Sequence, residues 1–162
     1  EKEIIEDGSN YRENALIKAN AYAHEINKPI IADDSGIEID ALNGKPGLES
    51  ARFAASMGGH DKAIKYIIEQ VKKTGINTAR FICSIVLVNE ENKPLTFEAV
   101  VNGRISLIPK GKEGFGYDPI FIPDGLDKTY AELIEEEKNK LSHRGKALLK
   151  LITYLKINQK VI

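Results

Sequence analysis

The 162-residue sequence predicts an α/β or α+β protein built on a mixed sheet. Three observations predict it: segments with helical apolar spacing at both ends and in the middle, one unmistakable β-hairpin near the centre, and short strands that lead into helices.

The first helix is expected from about Asn10 to Ile26, because Tyr11, Ala15, Ala19, Tyr22 and Ile26 recur at intervals of three and four. Asp7-Gly8-Ser9-Asn10 supplies turn and cap chemistry before it, and Pro29 follows it. Ile30 to Ala32 reads as a short strand that stops at Asp33-Asp34-Ser35-Gly36, which places two carboxylates at a strand end. Ile37 to Leu42 alternates apolar and polar, a second strand closed by the Asn43-Gly44 turn. Pro46-Gly47 and Gly58-Gly59 bracket a loop-like segment, Leu48 to Met57, that carries Ser50, Arg52 and Phe53. A second helix is expected over Asp61 to Lys72, with Ile64, Ile67, Ile68 and Val71 as its buried stripe.

Ala79 to Val88 is nearly all apolar, and Asn89 to Pro94 then turns the chain into a β-rich run, Leu95 to Val101. Ile105 to Ile108 reads as a further short strand, Pro109 to Gly116 as a glycine-rich loop, and Ile120 to Ile122 as a last strand framed by prolines. A short acidic helix, Glu135 to Asn139, precedes a long final one from about Ser142 to Ile157. Its expected stripe is Ala147, Leu148, Leu151, Ile152 and Leu155. With no repeat, low-complexity tract or linker, residues 1–162 read as a single domain.

Twenty-three basic against 24 acidic residues leave a formal net charge of −1, so no global field draws nucleic acid or an anionic membrane. The single Cys83 excludes an internal disulfide and suits a reducing cytoplasm. No run approaches the roughly 18 apolar residues of a membrane span, and the charged opening Glu1 to Glu6 is no secretory signal. A cytoplasmic location is the expectation.

Four clusters carry possible chemistry. Asp33-Asp34-Ser35-Gly36 concentrates hard oxygens suited to magnesium in a nucleotide site, or is simply turn chemistry at a strand end. Glu13 is either a capping-box carboxylate or a second oxygen ligand. Gly111 to Pro119 combines glycines with Phe115 and Tyr117, rings able to stack on a planar base or to pack inward around a tight turn. Lys138 with Ser142-His143-Arg144 gathers cationic donors at a helix start, an anion site or a solvated charged face. The histidines lack the spacing of a zinc site, and His24 and His60 read as surface residues.

Taken in order, Glu13-Asn14-Ala15, Ala32 to Gly36, Pro46-Gly47 with Ser50-Ala51-Arg52, Gly114 to Pro119 and Ser142 to Gly145 resemble the inosine triphosphate pyrophosphatase family. The resemblance implies an elongated mixed β-sheet flanked by helices in two lobes around a central nucleotide cleft. It implies magnesium-dependent hydrolysis of the triphosphates of inosine, deoxyinosine and xanthosine to monophosphate and pyrophosphate by a homodimer. On that pattern Asp34 is the catalytic carboxylate and a metal ligand, Glu13 the other metal-binding carboxylate and Asp33 its support. Ser35 touches the nucleotide, Phe115, Gly116, Tyr117 and Asp118 frame the base, Lys138 meets the phosphate-ribose side, and His143 with Arg144 reads the purine edge. The family pattern opens with a strand, a Ser/Thr-x-Asn-x-x-Lys phosphate loop and a helix that precede the first residue here, so an N-terminally incomplete domain is expected. A binding module without hydrolysis is the alternative.

Overall fold

The structure, a computed structural model that describes residues 2–23, 25–89 and 93–158, is organised by one long hairpin. Strands β3 (Thr78–Val88) and β4 (Leu95–Ile105) pair antiparallel from Thr78↔Arg104 to Leu87↔Leu95. Strand β1 (Ile30–Ile39) lies along the other side of β3, from Ile30↔Val88 to Ile39↔Ala79. Two short strands finish the sheet: β2 (Lys45–Pro46) against the end of β1, and β5 (Phe121–Pro123) against the end of β4. The order is β2-β1-β3-β4-β5, and every pairing among the described residues is antiparallel. The α/β class therefore stands, while the described sheet lacks the parallel pairs of a mixed one. The expected His24 position and the Glu90 to Asn92 part of the hairpin turn lie outside the described residues.

Strand β1 corrects two expectations at once. Asp33 to Gly36 is mid-strand, and Ile37 to Ile39 continues the same strand without a break. Turn-favouring side chains lose here because β3 supplies a pairing partner for every residue from Ile30 to Ile39. Gly36 serves close approach: a Cβ there would meet the Gly47 carbonyl oxygen at 2.2 Å and the Tyr11 ring at 2.7 Å. Gly36→Ala must push β1 from both neighbours and is expected to cost about 1–3 kcal/mol, measured by urea unfolding. A loss below a few tenths would show that this packing yields freely.

Other differences are local. Leu48 to Met57 is a 3₁₀ turn, Gly47–Glu49, followed by helix α2 (Ser50–Ser56). Ser50 anchors it, its Oγ accepting from Ile37 N at 3.0 Å and donating to Gly47 O at 2.6 Å. Ile105 ends β4, and the expected strand to Ile108 does not form; Ser106 N instead donates to Ile120 O. The remaining helices are α1 (Tyr11–Ala23), α3 (His60–Thr74), α4 (Glu135–Leu141) and α5 (His143–Ile157).

Side chains alternate across β1, β3 and β4, so α1 covers one face while α3 and α5 pack on the opposite one. Tyr11, Ala15 and Ala19 of α1 are buried against the first face. On the second, Ile37, Ile39 and Phe81 pack with Ile64 and Ile67 of α3, while Cys83, Ile85 and Leu87 pack with Ala147 and Leu151 of α5. Leu155 joins that second cluster, but Leu148 and Ile152 stay exposed, correcting the expected stripe. Of the expected stripe, Ala147, Leu151 and Leu155 lie against the sheet.

Candidate active site

The pleat of β1 sends its two adjacent carboxylates to opposite faces of the sheet. On the α1 face, Asp34 Oδ2 accepts from Asn14 Nδ2 at 3.3 Å, and its Oδ1 lies 3.5 Å from Lys18 Nζ. Lys18 also pairs with Glu6 at 2.7 Å, so two carboxylates converge on one cation. Asn14 is buried, and its Oδ1 accepts from Gly8 N at 2.8 Å, which holds the segment before α1 against the helix. Arg52 Nη2 donates to Glu6 O at 3.0 Å and ties the same segment to α2. A cleft of 630 Å³ runs past Glu6, Ser9, Tyr11, Asn14, Glu38 and Arg52, a size ordinary for small-ligand sites.

Glu13 takes the capping role. Its Oε2 accepts from Ser9 N at 2.6 Å and Ser9 Oγ at 2.8 Å, while Asn10 Oδ1 accepts from Glu13 N at 2.8 Å. Asp33 points to the other face and pairs with Arg144 at 3.1 Å. The three carboxylates expected to hold one metal are thus spread over three environments, and among the described residues no three His, Cys, Asp or Glu side chains converge. Glu6 and Lys18 were not among the sequence candidates. Lys18 follows Asn14 by four residues on α1, a helical spacing that puts both on the face turned to β1.

Around Asp33 and Arg144, the second face gathers most of the remaining candidates. Asp118 is buried, and its Oδ2 accepts from Lys138 Nζ at 2.5 Å and from Phe115 N at 3.0 Å. The Lys138 ammonium also lies 4.6 Å from the centre of the exposed Phe115 ring, and the Arg144 guanidinium 5.8 Å from it. His143 is buried and stacks on Phe81. Ser35 Oγ and His143 Nδ1 are both buried without a hydrogen-bond partner, an arrangement that suits a polar ligand. Gly145 lets α4 approach, since a Cβ there would meet Asn139 O at 1.8 Å. Tyr117 is the exception: it is core, its hydroxyl donating to Ser50 O at 2.5 Å and its ring meeting the exposed His60 edge-on. Gly116 supplies a backbone φ of 63° beside it.

The Ham1 family profile matches residues 1–154. The chain belongs to the Ham1 family. It is 47% identical over 156 residues to a dITP/XTP pyrophosphatase of Halalkalibacterium halodurans, covering 95% of this chain and 80% of that one. The fold superposes on the Ham1 protein of Staphylococcus aureus with a TM-score of 0.89 at 39% identity, covering 96% of this chain and 81% of that one. A HAM1 protein from Coxiella burnetii gives a TM-score of 0.86 at 42% identity, with coverage of 96% and 81%.

Electrostatics separate the two faces of this Ham1 chain. Burial holds the Asp34 carboxyl above the usual carboxylate range, with Lys18 and Asn14 opposing the shift and Glu6 adding to it. That is the direction a proton acceptor near neutral pH requires. Burial first, then Arg144 and Lys138, push the His143 imidazole down to about 3. Below the ordinary histidine value of 6.5 the unfolded chain takes up a proton that the folded chain refuses, so His143 weakens the fold as pH falls from 6.5 towards 3. His143→Gln is expected to flatten that part of the stability profile, as read by urea unfolding at pH 7 and pH 5. An equal loss of stability in both proteins would assign the acid sensitivity to other groups.

For a divalent cation, the test is the donor set. Lys18 already marks a point where the oxygens of Asp34 and Glu6 meet one positive charge. Magnesium is commonly held by one or two carboxylates, the rest of its shell being phosphate and water, and this pair fits that need.

Proposed function

We propose that this Ham1-family chain hydrolyses non-canonical purine nucleoside triphosphates, those of inosine, deoxyinosine and xanthosine, to the monophosphate and pyrophosphate. One observation carries the reading: a single strand turns Asp34 to a carboxylate-lysine cluster on one face and Asp33 to Arg144 on the other, where Arg144 and Lys138 flank the exposed Phe115 ring. The relatives' shared description as dITP/XTP pyrophosphatases agrees with it.

In this mechanism Asp34, raised towards neutrality by burial, accepts the proton of the attacking water, and Asn14 and Lys18 orient its two oxygens. Asp34 and Glu6 would hold magnesium, which when bound would neutralise charge on the triphosphate. On the other face Phe115 offers a stacking surface, and Lys138 and Arg144 beside it hold anionic and acceptor groups of the nucleotide. Hypoxanthine and xanthine present an acceptor oxygen at carbon 6 to the guanidinium of Arg144; adenine presents an amine there and offers it no acceptor. The working unit is a homodimer in the cytoplasm, and sedimentation at micromolar concentration is the check on the former.

The deciding experiment is pyrophosphate release from dITP and dATP, with and without magnesium. Release from dITP alone, and only with magnesium, is the expected result. Calorimetric binding of dITP with no pyrophosphate released would replace hydrolysis by a binding role.

A further inference from the structure

Phe81 belongs to none of the motifs above, yet it stands at the centre of the second face. It is buried in β3, and its ring meets the Phe121 ring edge-on at 4.8 Å. The His143 imidazole lies almost parallel to it, 4.4 Å between centres at 6°. Tyr130 is also nearly parallel to Phe81, at 5.6 Å and 19°, and lies 6.0 Å from His143 at 17°. Two rings therefore share one aromatic floor. In the strand register Phe81 opposes Ile37 and Cys83 opposes Ser35, so the floor adjoins the serine whose hydroxyl has no partner.

We propose that Phe81 is a positioning residue for purine recognition: its ring face fixes the plane of His143, and with Tyr130 it keeps water from the imidazole, so that Nδ1 is left unpaired for the base. The proposal rests on the functional reading above and adds to it a residue that touches no substrate. The groups facing His143 all act in the same sense. Phe81 and Tyr130 desolvate it from β3 and from the turn at Tyr130–Glu132, while Lys138 from α4 and Arg144 from α5 add positive charge. All four disfavour imidazolium. A neutral imidazole keeps one acceptor nitrogen, a partner for the N1–H donor of hypoxanthine. An imidazolium only donates.

The test joins a spectroscopic and a kinetic measurement. In the wild-type protein, the His143 ring followed by nitrogen NMR is expected to stay neutral down to pH 5; titration near 6.5 would overturn the proposal without any variant. In Phe81→Leu the ring is expected to titrate at higher pH than in wild type. KM for dITP is expected to rise about tenfold, with kcat changed much less, a coupling within the range of contacting residues. In a His143→Gln background the same Phe81→Leu exchange is expected to change KM less than about twofold. Equal effects in both backgrounds would make Phe81 a core filler only and overturn the proposal. Should Phe81→Leu fail to fold, Phe81→Met, closer in volume, takes its place. A wild-type protein that releases no pyrophosphate would refute the functional reading, and the NMR comparison would then decide the positioning of His143 on its own.

Discussion

Asp34→Asn is expected to fold as the wild type does and to lose about a thousandfold in kcat for dITP, the middle of the range for removing a positioned general base. The amide is nearly isosteric with the carboxylate, and the side chain is only 12% exposed beside Lys18. The hydrogen bond from Asn14 Nδ2 to Oδ2 at 3.3 Å can persist with the amide oxygen as acceptor. What disappears is the proton-accepting oxygen and half of the carboxylate pair that meets at Lys18. Unfolding curves and steady-state rates on the same preparation separate the two effects. Turnover within tenfold of wild type would take Asp34 out of the reaction. The pH-rate profile adds a check of direction: with the carboxyl held above its ordinary value, activity should fall on the acid side before ordinary carboxylates protonate.

Lys138→Met is expected to have the largest effect on stability, about 3–5 kcal/mol, the cost of stranding one partner of a buried ion pair. The side chains of Lys138 and Asp118 are 14% and 5% exposed, and 2.5 Å separates their charged atoms. Phe115 N also donates to Asp118 Oδ2 at 3.0 Å, but it does not neutralise the charge. Adding Asp118→Asn to the first change should therefore recover part of the loss, because the stranded charge goes too. A single-variant cost under about 1 kcal/mol would place the pair in the class of solvent-screened bridges. The same lysine lies over Phe115, so the variant should also weaken dITP binding.

Much of this was legible in the chain, and the reasons are physical. The β3–β4 hairpin and helix α3 announce themselves because periodicity and burial agree: Ile64, Ile67, Ile68 and Val71 are all buried, as their spacing requires. Phe115 and Asp118 were legible in one glycine-rich cluster and Lys138, His143 and Arg144 in a second, cationic one, and the family resemblance joined the two into a single site. The division of Asp33 and Asp34 between faces was not legible, since it depends on β1 running through them, and that depends on pairing with β3 far along the chain. Glu13 followed its local capping pattern. Glu6 and Lys18 were hidden because a lone glutamate and a lone lysine on a charged segment carry no local signal; only the packing of α1 on β1 brings them to Asp34. Leu148 and Ile152 fit the helical period of α5 but not the narrow line along which that helix meets the sheet.

The division of labour along β1 also sets which kinds of genetic change this protein tolerates. Asp33 and Asp34 differ in role only by parity, one odd and one even position on a pleated strand. A single-codon deletion between Ile30 and Ala32, taken up by sliding the strand one place along β3, would hand each carboxylate the other's surroundings and turn Ile37 and Ile39 out of the core together. A two-codon change preserves parity and shifts only the ends. Lineages of this fold should therefore accept point substitutions in β1 far more readily than odd-length insertions or deletions.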